Sequence, residues 1–295
     1  MADDLEQPII SPCPVCGSGR SKFFVVKNNC RIYRCQDCAA RFVFPWPEPD
    51  WSGLYGEQYF AGGRHGFGYS DYDADKAAMR GTFLQYLDRL ERLLPARGRL
   101  LDVGAATGYF VKLAGERGWQ GSGVEPSDYA AGRGRAQGLD VQTGTLDTVT
   151  GAENYFDVIT LWDVIEHLPN PQAALERVLV LLKPGGILAI NTPDAGSWYA
   201  LLLGRFWHQL VPPEHLVYFN PRNLSALLSA LGFAVLPAEK IGKRFTVAYL
   251  LATIARWQPY WPWPSLARRA QQSAWGRRSL SLNLRDNFFL LARKK

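Results

Sequence analysis

The sequence has no apolar run of about 18 residues, the length that a membrane-spanning helix needs. The longest candidate, residues 245–255, is too short and is followed by Arg256. Residues 1–6 are acidic and lack the apolar core of a signal peptide. These absences predict a cytoplasmic protein, and 295 residues suffice for one large domain with an appendage.

Acidic side chains are scarce near the C-terminal end. Residues 243–295 contain eleven Lys or Arg and one acid, Asp286, so they carry +10 and the remainder carries −4, which gives the net +6. Four tryptophans accompany this charge: Trp257, Trp261, Trp263 and Trp275. A helical hairpin that covers the domain or forms a homodimer interface is one interpretation. A surface against the anionic inner face of a membrane is another, and nucleic acid is disfavoured because no known base-stacking module is present.

Cysteines are few, and four of the five form two C-x-x-C pairs separated by eighteen residues. This spacing is typical of a structural zinc site with four thiolate ligands and no open coordination position. The predicted ligands are Cys13, Cys16, Cys35 and Cys38. Two disulfides or a redox pair are alternatives that a cytoplasmic location disfavours. Cys30 receives no predicted role.

Residues 1–50 are therefore predicted to form a small zinc ribbon, with a hairpin over residues 23–27 and 31–34. Three prolines within residues 45–49 end it, because proline is excluded from helix interiors and central strands. The next stretch, residues 51–74, is rich in glycine and aromatic residues. We interpret it as a connector or as a lid over a site.

The stretch at residues 100–110 organises the rest of the chain. Apolar residues lead into a turn that contains Gly104 and Gly108, and a helix-compatible run follows, which predicts a buried strand, a tight loop and a helix N-terminus. A dinucleotide fingerprint is excluded because Ala106 and Tyr109 stand at two of its glycine positions. A P-loop is excluded because no Gly-Lys-Ser/Thr follows.

Strands and helices then alternate, which predicts a doubly wound, mostly parallel α/β sheet. Glu125 ends the second strand, 23 residues after Asp102, where an acidic side chain can accept hydrogen bonds from ribose hydroxyls. Residues 233–241 and 287–292 are predicted as the last two strands, the latter as the antiparallel edge. Residues 196–210 are aromatic and apolar, which is compatible with a helix that covers the core.

Five runs occur in an order and spacing that resembles the class I S-adenosylmethionine (SAM)-dependent methyltransferases: residues 101–104, 124–126, 156–159, 163–167 and 182–186. The chain is similar to the ubiquinone-pathway O-methyltransferase group and related small-molecule enzymes. The resemblance implies that residues 196–210 form a wall of the acceptor pocket, for which a cover helix in the core is the alternative. The resemblance covers about residues 80–245. It implies a Rossmann-like, seven-stranded methyltransferase sheet over residues 75–295, with the basic, Trp-rich stretch at about 243–283 as an insertion.

The resemblance also implies where the cofactor binds. Leu146 would pack on the adenine ring, Asp147 would accept from its exocyclic amine, and Glu125 would hold the ribose. The residues that we expect at the SAM site are Asp102, Gly104, Ala105, Gly108, Tyr109, Glu125, Pro126, Leu146, Asp147, Trp162 and Asp163.

Acid and imidazole side chains cluster after the fourth strand. Asp163, Glu166 and His167 have i, i+3, i+4 spacing, and His215 could return to the same cleft. In one interpretation His215 or His167 is a general base, with Glu166 beside it. In a second, Asp163, Glu166, His167 and His215 bind a divalent cation that orients an acceptor oxygen. In a third, Glu166 and His167 only support the loop.

The function we expect is methyl transfer from SAM to a hydroxyl, less so to an amine or carbon, of a small molecule, glycan precursor or lipid-linked intermediate. The alternative is an RNA or protein methyltransferase that docks through the zinc ribbon and the basic C-terminal region. A non-catalytic scaffold is a third hypothesis, against which the intact Asp102, Gly104, Gly108 and Glu125 argue.

Overall fold

The computed structural model describes residues 11–47, 56–57, 60, 76–77, 79–94, 96–257, 260–282 and 285–295. Most of the connector or lid predicted at residues 51–74 lies outside the described residues. Within the described part, no helix has both the length and the apolar character that a membrane span requires.

Strands and helices are numbered here in chain order. The strands are β1 (Ser21–Lys27), β2 (Cys30–Cys35), β3 (Arg41–Val43), β4 (Arg99–Val103), β5 (Gln120–Glu125), β6 (Val141–Thr143), β7 (Phe156–Trp162), β8 (Leu182–Pro193), β9 (Val217–Tyr218), β10 (Phe233–Val235), β11 (Lys243–Thr246), β12 (Ser279–Leu282) and β13 (Asn287–Lys294). The α-helices are α1 (Arg80–Leu93), α2 (Tyr109–Glu116), α3 (Asp128–Ala136), α4 (Pro171–Leu181), α5 (Trp198–Leu203), α6 (Pro221–Ala230), α7 (Val247–Trp257) and α8 (Trp263–Gln271). Short 3₁₀ turns occur at Leu146–Thr148, Ile165–His167 and Gly204–Phe206.

The central sheet has seven strands in the order β10-β13-β8-β7-β4-β5-β6. Strands β4 to β8 pair in parallel. Successive residues of β4 enter two different cores, since Leu101 packs with Ile159 on one face and Leu100 with Val158 on the other. Burial on both faces is what a doubly wound sheet requires, and the predicted seven-stranded, Rossmann-like sheet is confirmed.

One prediction about this sheet is wrong. The last strand, β13, is antiparallel as expected, but it lies between β8 and β10 instead of at the edge. Its first six residues are all buried, as a strand with neighbours on both sides requires. The edge position belongs to β10, which is only three residues long, whereas the sequence predicted a strand over residues 233–241.

The cysteine-bearing segment folds as a hairpin of β1 and β2 followed by β3. Its turn places Asn28 and Asn29 at φ 50° and 60°, the left-handed conformation that asparagine tolerates. The sheet does not end with β3, because β9, from far along the chain, pairs antiparallel with it. The ribbon is thereby joined by main-chain hydrogen bonds to the segment between β8 and α6, a connection that the sequence did not predict.

The basic insertion is a helical hairpin on a two-stranded base. Strands β11 and β12 pair antiparallel, and α7 and α8 pack against each other between them. The insertion leaves the main sheet after β10 and returns at β13. Since β10 runs antiparallel to β13, which in turn runs antiparallel to β8, the insertion emerges where β8 ends.

The fold makes a prediction at Gly123, in the middle of β5. A Cβ at this position would stand 2.5 Å from the Ala105 Cβ, so we expect Gly123→Ala to lower the free energy of unfolding by about 1–3 kcal/mol through overpacking. Gly115, on the exposed side of α2, has nothing within 4 Å of such a Cβ. Gly115→Ala is the matched control and should stabilise by roughly 0.5–1 kcal/mol. Urea unfolding measures both, and equal effects would contradict the packing described.

Candidate active site

A cavity of about 620 Å³ opens at the carboxyl ends of β4, β5, β7 and β8. Open α/β sheets bind their ligands at this edge. Of the residues predicted for the cofactor, the cavity wall includes Gly104, Glu125, Pro126, Leu146, Asp147, Trp162 and Asp163. Of those predicted for catalysis, it includes Glu166, His167 and His215. The two predicted sets therefore share one cavity.

The turn between β4 and α2 adopts left-handed backbone conformations at three residues. Gly104 has φ 70°, and a Cβ there would stand 2.7 Å from the Val164 side chain. Ala106 has φ 49°, which a residue with a side chain rarely adopts, and it lines the cavity. Gly108 has φ 80° and caps α2. A Cβ on Gly108 would meet Leu139 and Val141 at 2.8 and 2.9 Å, so this glycine is required for packing against the protein.

Glu125 fixes the same turn from the next strand. Its Oε2 accepts a hydrogen bond from the main-chain N–H of Ala106 at 2.9 Å, and its Oε1 accepts from that of Ser127 at 2.9 Å. Burial raises the pKa of Glu125, and these two hydrogen bonds oppose that shift. A carboxylate oxygen has more than one acceptor site, so both oxygens retain capacity for ribose hydroxyls.

Four of the predicted cofactor residues do not appear in the cavity wall: Asp102, Ala105, Gly108 and Tyr109. Ala105 is buried with Val111 and Val141, and the Tyr109 ring packs 6.1 Å from that of Phe83. Asp102 is buried behind the turn, where its Oδ1 accepts from the Thr160 hydroxyl at 2.6 Å. Burial raises the pKa of Asp102 to about 7. Contact of these four residues with a cofactor stays a prediction.

A chain of side-chain hydrogen bonds holds the cavity wall where β7 ends. Asp163 follows β7 at φ 54°, and its Oδ1 accepts from Asn191 Nδ2 at 2.8 Å. Asn191 Oδ1 in turn accepts from the buried Tyr86 hydroxyl at 3.0 Å. Trp162 stacks on Tyr86 with ring centroids 4.6 Å apart. Its buried indole N–H has no acceptor among the described residues, as expected of a donor that serves a polar ligand.

Glu166, His167 and His215 form a compact group whose potential ligand atoms lie within 4.8 Å of one another. The two imidazole rings meet edge to face with centroids 4.8 Å apart. His167 Nδ1 lies 2.8 Å from the Glu214 carbonyl oxygen, and His215 Nδ1 lies 2.9 Å from that of Gln209. Because a carbonyl only accepts, each Nδ1 carries the proton in the neutral ring, and Nε2 is the basic nitrogen of His215.

Phe60 and Gln209 in the cavity wall lie in the segments predicted as a possible lid and a possible acceptor wall. Sequence reasoning assigned no role to four further residues of the wall: Lys76, Ala106, Asn170 and Glu214. Lys76 is the one cation in the described wall, and its charge lowers the pKa of Asp102 against the effect of burial. Ala106 could have been found, because it occupies the middle position of the turn. Lys76 belongs to a segment with no motif to mark it.

The four predicted cysteine ligands lie together at one end of the β1–β2 hairpin. Cys13 Sγ is 3.7 Å from Cys38 Sγ, and Cys16 Sγ is 3.6 Å from Cys35 Sγ. Four sulfurs about 2.3 Å from a tetrahedral zinc ion would be about 3.8 Å apart. The hydrogen bond from the Cys38 thiol lowers the pKa of Cys13 to about 5, whereas burial raises the pKa of Cys16 to about 11 and the same hydrogen bond raises that of Cys38. Metal binding would deprotonate the remaining thiols. The residues present therefore fit zinc, and no disulfide joins them.

A sequence profile of the methyltransferase domain family matches residues 77–238, more than half of the chain. The chain belongs to the methyltransferase domain family. Its relatives include ubiquinone biosynthesis O-methyltransferases. The one from Aeromonas salmonicida is 24% identical over 180 residues, covering 53% of this chain and 76% of the relative. The one from Coxiella burnetii is 26% identical over 163 residues, covering 51% of this chain and 70% of the relative.

Solved structures share the fold of this methyltransferase at low identity. A Pyrococcus horikoshii protein matches with a TM-score of 0.52 at 14% identity, covering 84% of this chain and 100% of the other. The YcgJ protein of Bacillus subtilis matches with a TM-score of 0.51 at 18% identity, covering 73% and 99%. The sequence prediction of a SAM-dependent methyltransferase is confirmed, and SAM is the methyl donor expected for this fold.

The partly buried His167 makes a prediction for the pH dependence of stability. Burial lowers the pKa of His167 below its ordinary value of 6.5, against the opposing effect of Glu214. Below pH 6.5 His167 therefore takes up a proton more readily in the unfolded chain than in the folded chain. The contribution of neutral His167 to the free energy of unfolding is complete above pH 6.5, and it is lost as the pH falls through the lowered pKa.

We expect the free energy of unfolding of His167→Asn, measured in urea at pH 8 and pH 5.5, to fall less on acidification than that of the wild type. Gln172, an exposed residue of α4, provides the control variant Gln172→Asn, which removes no titratable group and should retain the wild-type pH dependence. An unchanged slope in His167→Asn would contradict the buried neutral imidazole.

Proposed function

We propose that this methyltransferase moves the methyl group of SAM to a hydroxyl group of a small-molecule acceptor, with His215 as the general base. The observation that carries the proposal is the position of His215 in the wall of the cofactor cavity, with its Nδ1 held by the Gln209 carbonyl. A hydroxyl nucleophile must lose its proton during transfer, and an imidazole suits this task at neutral pH. The cavity volume of about 620 Å³ is in the range of sites that hold small molecules.

The cofactor supplies an activated methyl group on a positive sulfonium, so the protein has to bind, align and deprotonate. Glu125 would accept from the ribose hydroxyls, and Leu146 with Asp147 would enclose the adenine at the far end of the wall. Trp162 ends β7, which lies on the other side of β4 from β5, and Asp163 and the turn of Glu166 and His167 follow it. This strand order supports an acceptor that binds beside His215, on the side of the cavity away from the adenine.

The relatives support a hydroxyl acceptor, because the similar proteins from Aeromonas salmonicida and Coxiella burnetii are O-methyltransferases of ubiquinone biosynthesis. A lipid-linked acceptor is the variant of this proposal that the surface favours. Trp198, Leu201, Leu202 and Phe206, in and after α5, are 57–74% exposed, and the cavity residues Gln209 and Val211 follow this segment. Peripheral attachment to an anionic membrane would bring such an acceptor to the cavity.

The RNA or protein acceptor is the weaker alternative, because only the basic charge of residues 243–295 supports it. A glycan precursor is compatible with the same cavity. Both are tested by a panel of acceptors that contains phenols, sugar hydroxyls, amines and RNA, with transfer of a labelled methyl group as the readout.

A divalent cation at Glu166, His167 and His215 is a second chemical role for the same group. One carboxylate and two imidazoles are a donor set that transition metals accept, and the three ligand atoms are close enough. A bound cation would orient an acceptor oxygen and lower its pKa. Native mass spectrometry with and without EDTA tests it, since a second, weaker metal beside the ribbon zinc would support this role.

Glu125 is predicted to dominate recognition of the ribose. We expect Glu125→Ala to weaken SAM binding by roughly 1.5–3 kcal/mol, the contribution of hydrogen bonds to a charged group, because the variant loses the ribose contacts and frees the Ala106 turn. Isothermal calorimetry measures the affinity. Glu153 is exposed, and the variant Glu153→Ala is the control. Unchanged affinity in Glu125→Ala would refute the assignment.

His215 is predicted to act on the acceptor and not on the cofactor. In His215→Asn the amide can still donate to the Gln209 carbonyl, whereas the basic nitrogen is removed. We expect turnover of a hydroxyl acceptor to fall by about 10²–10⁴-fold, with SAM affinity nearly unchanged by calorimetry. The control His208→Asn should keep both. A large loss of SAM affinity in His215→Asn would show that His215 belongs to the cofactor half.

A further inference from the structure

We infer that the cysteine ribbon, residues 11–47, holds the loop carrying Glu214 and His215 from outside the cavity wall, and that zinc binding by its four cysteines sustains the acceptor half of the cavity, the part of the wall that contains Glu166, His167, Glu214 and His215. No described residue of the ribbon is itself in that wall. This inference rests on the proposed function of His215. It differs from the sequence interpretation, in which the ribbon is an appendage or a docking surface.

The strand pairing between β3 and β9 provides the first argument. Phe42 is in register with Val217, and Arg41 with Tyr218. The main-chain N–H of Val43 donates to the Leu216 carbonyl at 2.9 Å. Leu216 directly follows His215, so the ribbon sets the main-chain position of the residue next to the proposed base.

The turn of the β1–β2 hairpin holds the other end of the loop. Asn28 Nδ2 donates to the Pro212 carbonyl at 2.8 Å, two residues before Glu214. Lys27 Nζ lies 3.4 Å from the Trp207 carbonyl. The ribbon therefore contacts the loop both before and after His215, which restrains it more than a single anchor would.

The opposite side of the loop is bonded to the acid and imidazole cluster. The main-chain N–H of Leu216 donates to the Glu166 carbonyl at 2.8 Å. His167 Nδ1 donates to the Glu214 carbonyl at 2.8 Å. The loop thus lies between the ribbon and the 3₁₀ turn of Glu166 and His167, and a shift of the ribbon would displace both histidines.

Side-chain packing makes the contact continuous. Ile32, Phe42 and Val43 are fully buried in one core with Trp207 and Phe219. A displacement of the ribbon side chains would move Trp207 and Phe219 as well, because protein interiors are close-packed and hold few voids.

One buried side chain links this core to the base. Tyr218 belongs to the shared core, and its hydroxyl donates to the His215 carbonyl at 2.9 Å. Arg41, the register partner of Tyr218, is buried and stacks 4.4 Å above the Phe24 ring of β1. The ring of Tyr218 thus connects the ribbon side chains to the main chain of His215.

The four cysteines lie at the end of the ribbon opposite the turn of the β1–β2 hairpin. Cys35 ends β2, and the Cys38 carbonyl accepts from Asn223 Nδ2, in α6, at 3.2 Å. A metal held by the four sulfurs would tie the loops before β1 and after β2 to each other. Loss of zinc would free β2 and β3, and with them the β9 pairing that precedes α6.

The cofactor half of the cavity, the part of the wall that contains Gly104, Ala106, Glu125, Leu146 and Asp147, is held by other contacts. The turn at Gly104 and Ala106 is held by Val124 and Glu125 through main-chain and carboxylate hydrogen bonds. Among the described residues these bonds run to β5 and not to the ribbon. Zinc removal should therefore impair the acceptor half and leave SAM binding in place, which a general loss of folding would not do.

The test uses the four histidines of the full chain as reporters. Protein labelled with ¹³C at histidine Cε1 gives up to four signals, of which His167→Gln and His215→Gln assign two. Asn28→Gly removes the bond to Pro212 while keeping the left-handed turn, since glycine tolerates φ 50°. Asn29→Gly, the neighbouring exposed turn residue at φ 60°, is the matched control.

We expect Asn28→Gly to shift or broaden the His215 and His167 signals, while Asn29→Gly leaves them as in the wild type. Cys16→Ser should lose zinc by native mass spectrometry and perturb the same two signals, whereas the isosteric control Cys30→Ser retains zinc and the wild-type spectrum. The dissociation constant for SAM should stay within twofold of the wild-type value in Asn28→Gly.

Superimposable spectra of Asn28→Gly and Asn29→Gly would overturn the inference. A tenfold loss of SAM affinity in Asn28→Gly would also overturn it, because the ribbon would then support the whole domain. If Cys16→Ser unfolds, the asparagine pair decides alone. Failure of the wild type to bind SAM would instead refute the proposed function, since the histidine signals are measured without SAM or acceptor.

Discussion

The carboxyl edge of the parallel sheet is the constraint on which the rest of the site depends. Strands β4, β5, β7 and β8 all end there, so the chain must turn sharply where a ligand can reach its backbone. Ala106 and Asp163 adopt positive φ at two of these turns, at a cost of about 1–3 kcal/mol each. Hydrogen bonds from Glu125 and Asn191 hold them in place. The backbone strain thus lies beside the cavity, and hydrogen bonds with residues of β5 and β8 offset it.

The two halves of the cavity differ in how they are encoded. The cofactor half comes from short segments that directly follow consecutive strands, and each residue is fixed by its own motif. The acceptor half joins the end of β7 to the segment before β9, and that segment is held by a hairpin more than 150 residues earlier in the chain. Its geometry therefore depends on long-range pairing, in which main-chain bonds at Val43 and Leu216 replace local sequence signals.

The features that could be predicted from the sequence are those that residue spacing and hydrophobic periodicity indicate. The β4 turn, Glu125 at the end of the next strand, and the four cysteines all follow from local patterns. The pairing order of strands does not, which is why β13 was expected at an edge that β10 occupies. Strand β9 is two residues long and has no periodicity to detect. Gly108 illustrates a further limit, because a required glycine could serve a ligand or a neighbouring side chain, and here it faces Leu139 and Val141.

His215 cannot be a general base and a cation ligand at the same time, because both roles use the same ring nitrogen. Its Nδ1 bonds to the Gln209 carbonyl, so the imidazole has one lone pair, on Nε2, for further chemistry. A nitrogen that ligates a cation cannot accept the proton of an acceptor hydroxyl. If His215 is the base, Glu166, whose Oε2 accepts from Thr192 at 2.9 Å, supports the loop through its carbonyl bond to Leu216. If it is a ligand, deprotonation passes to solvent or to the acceptor itself. The same ribbon contacts would position Nε2 in either case.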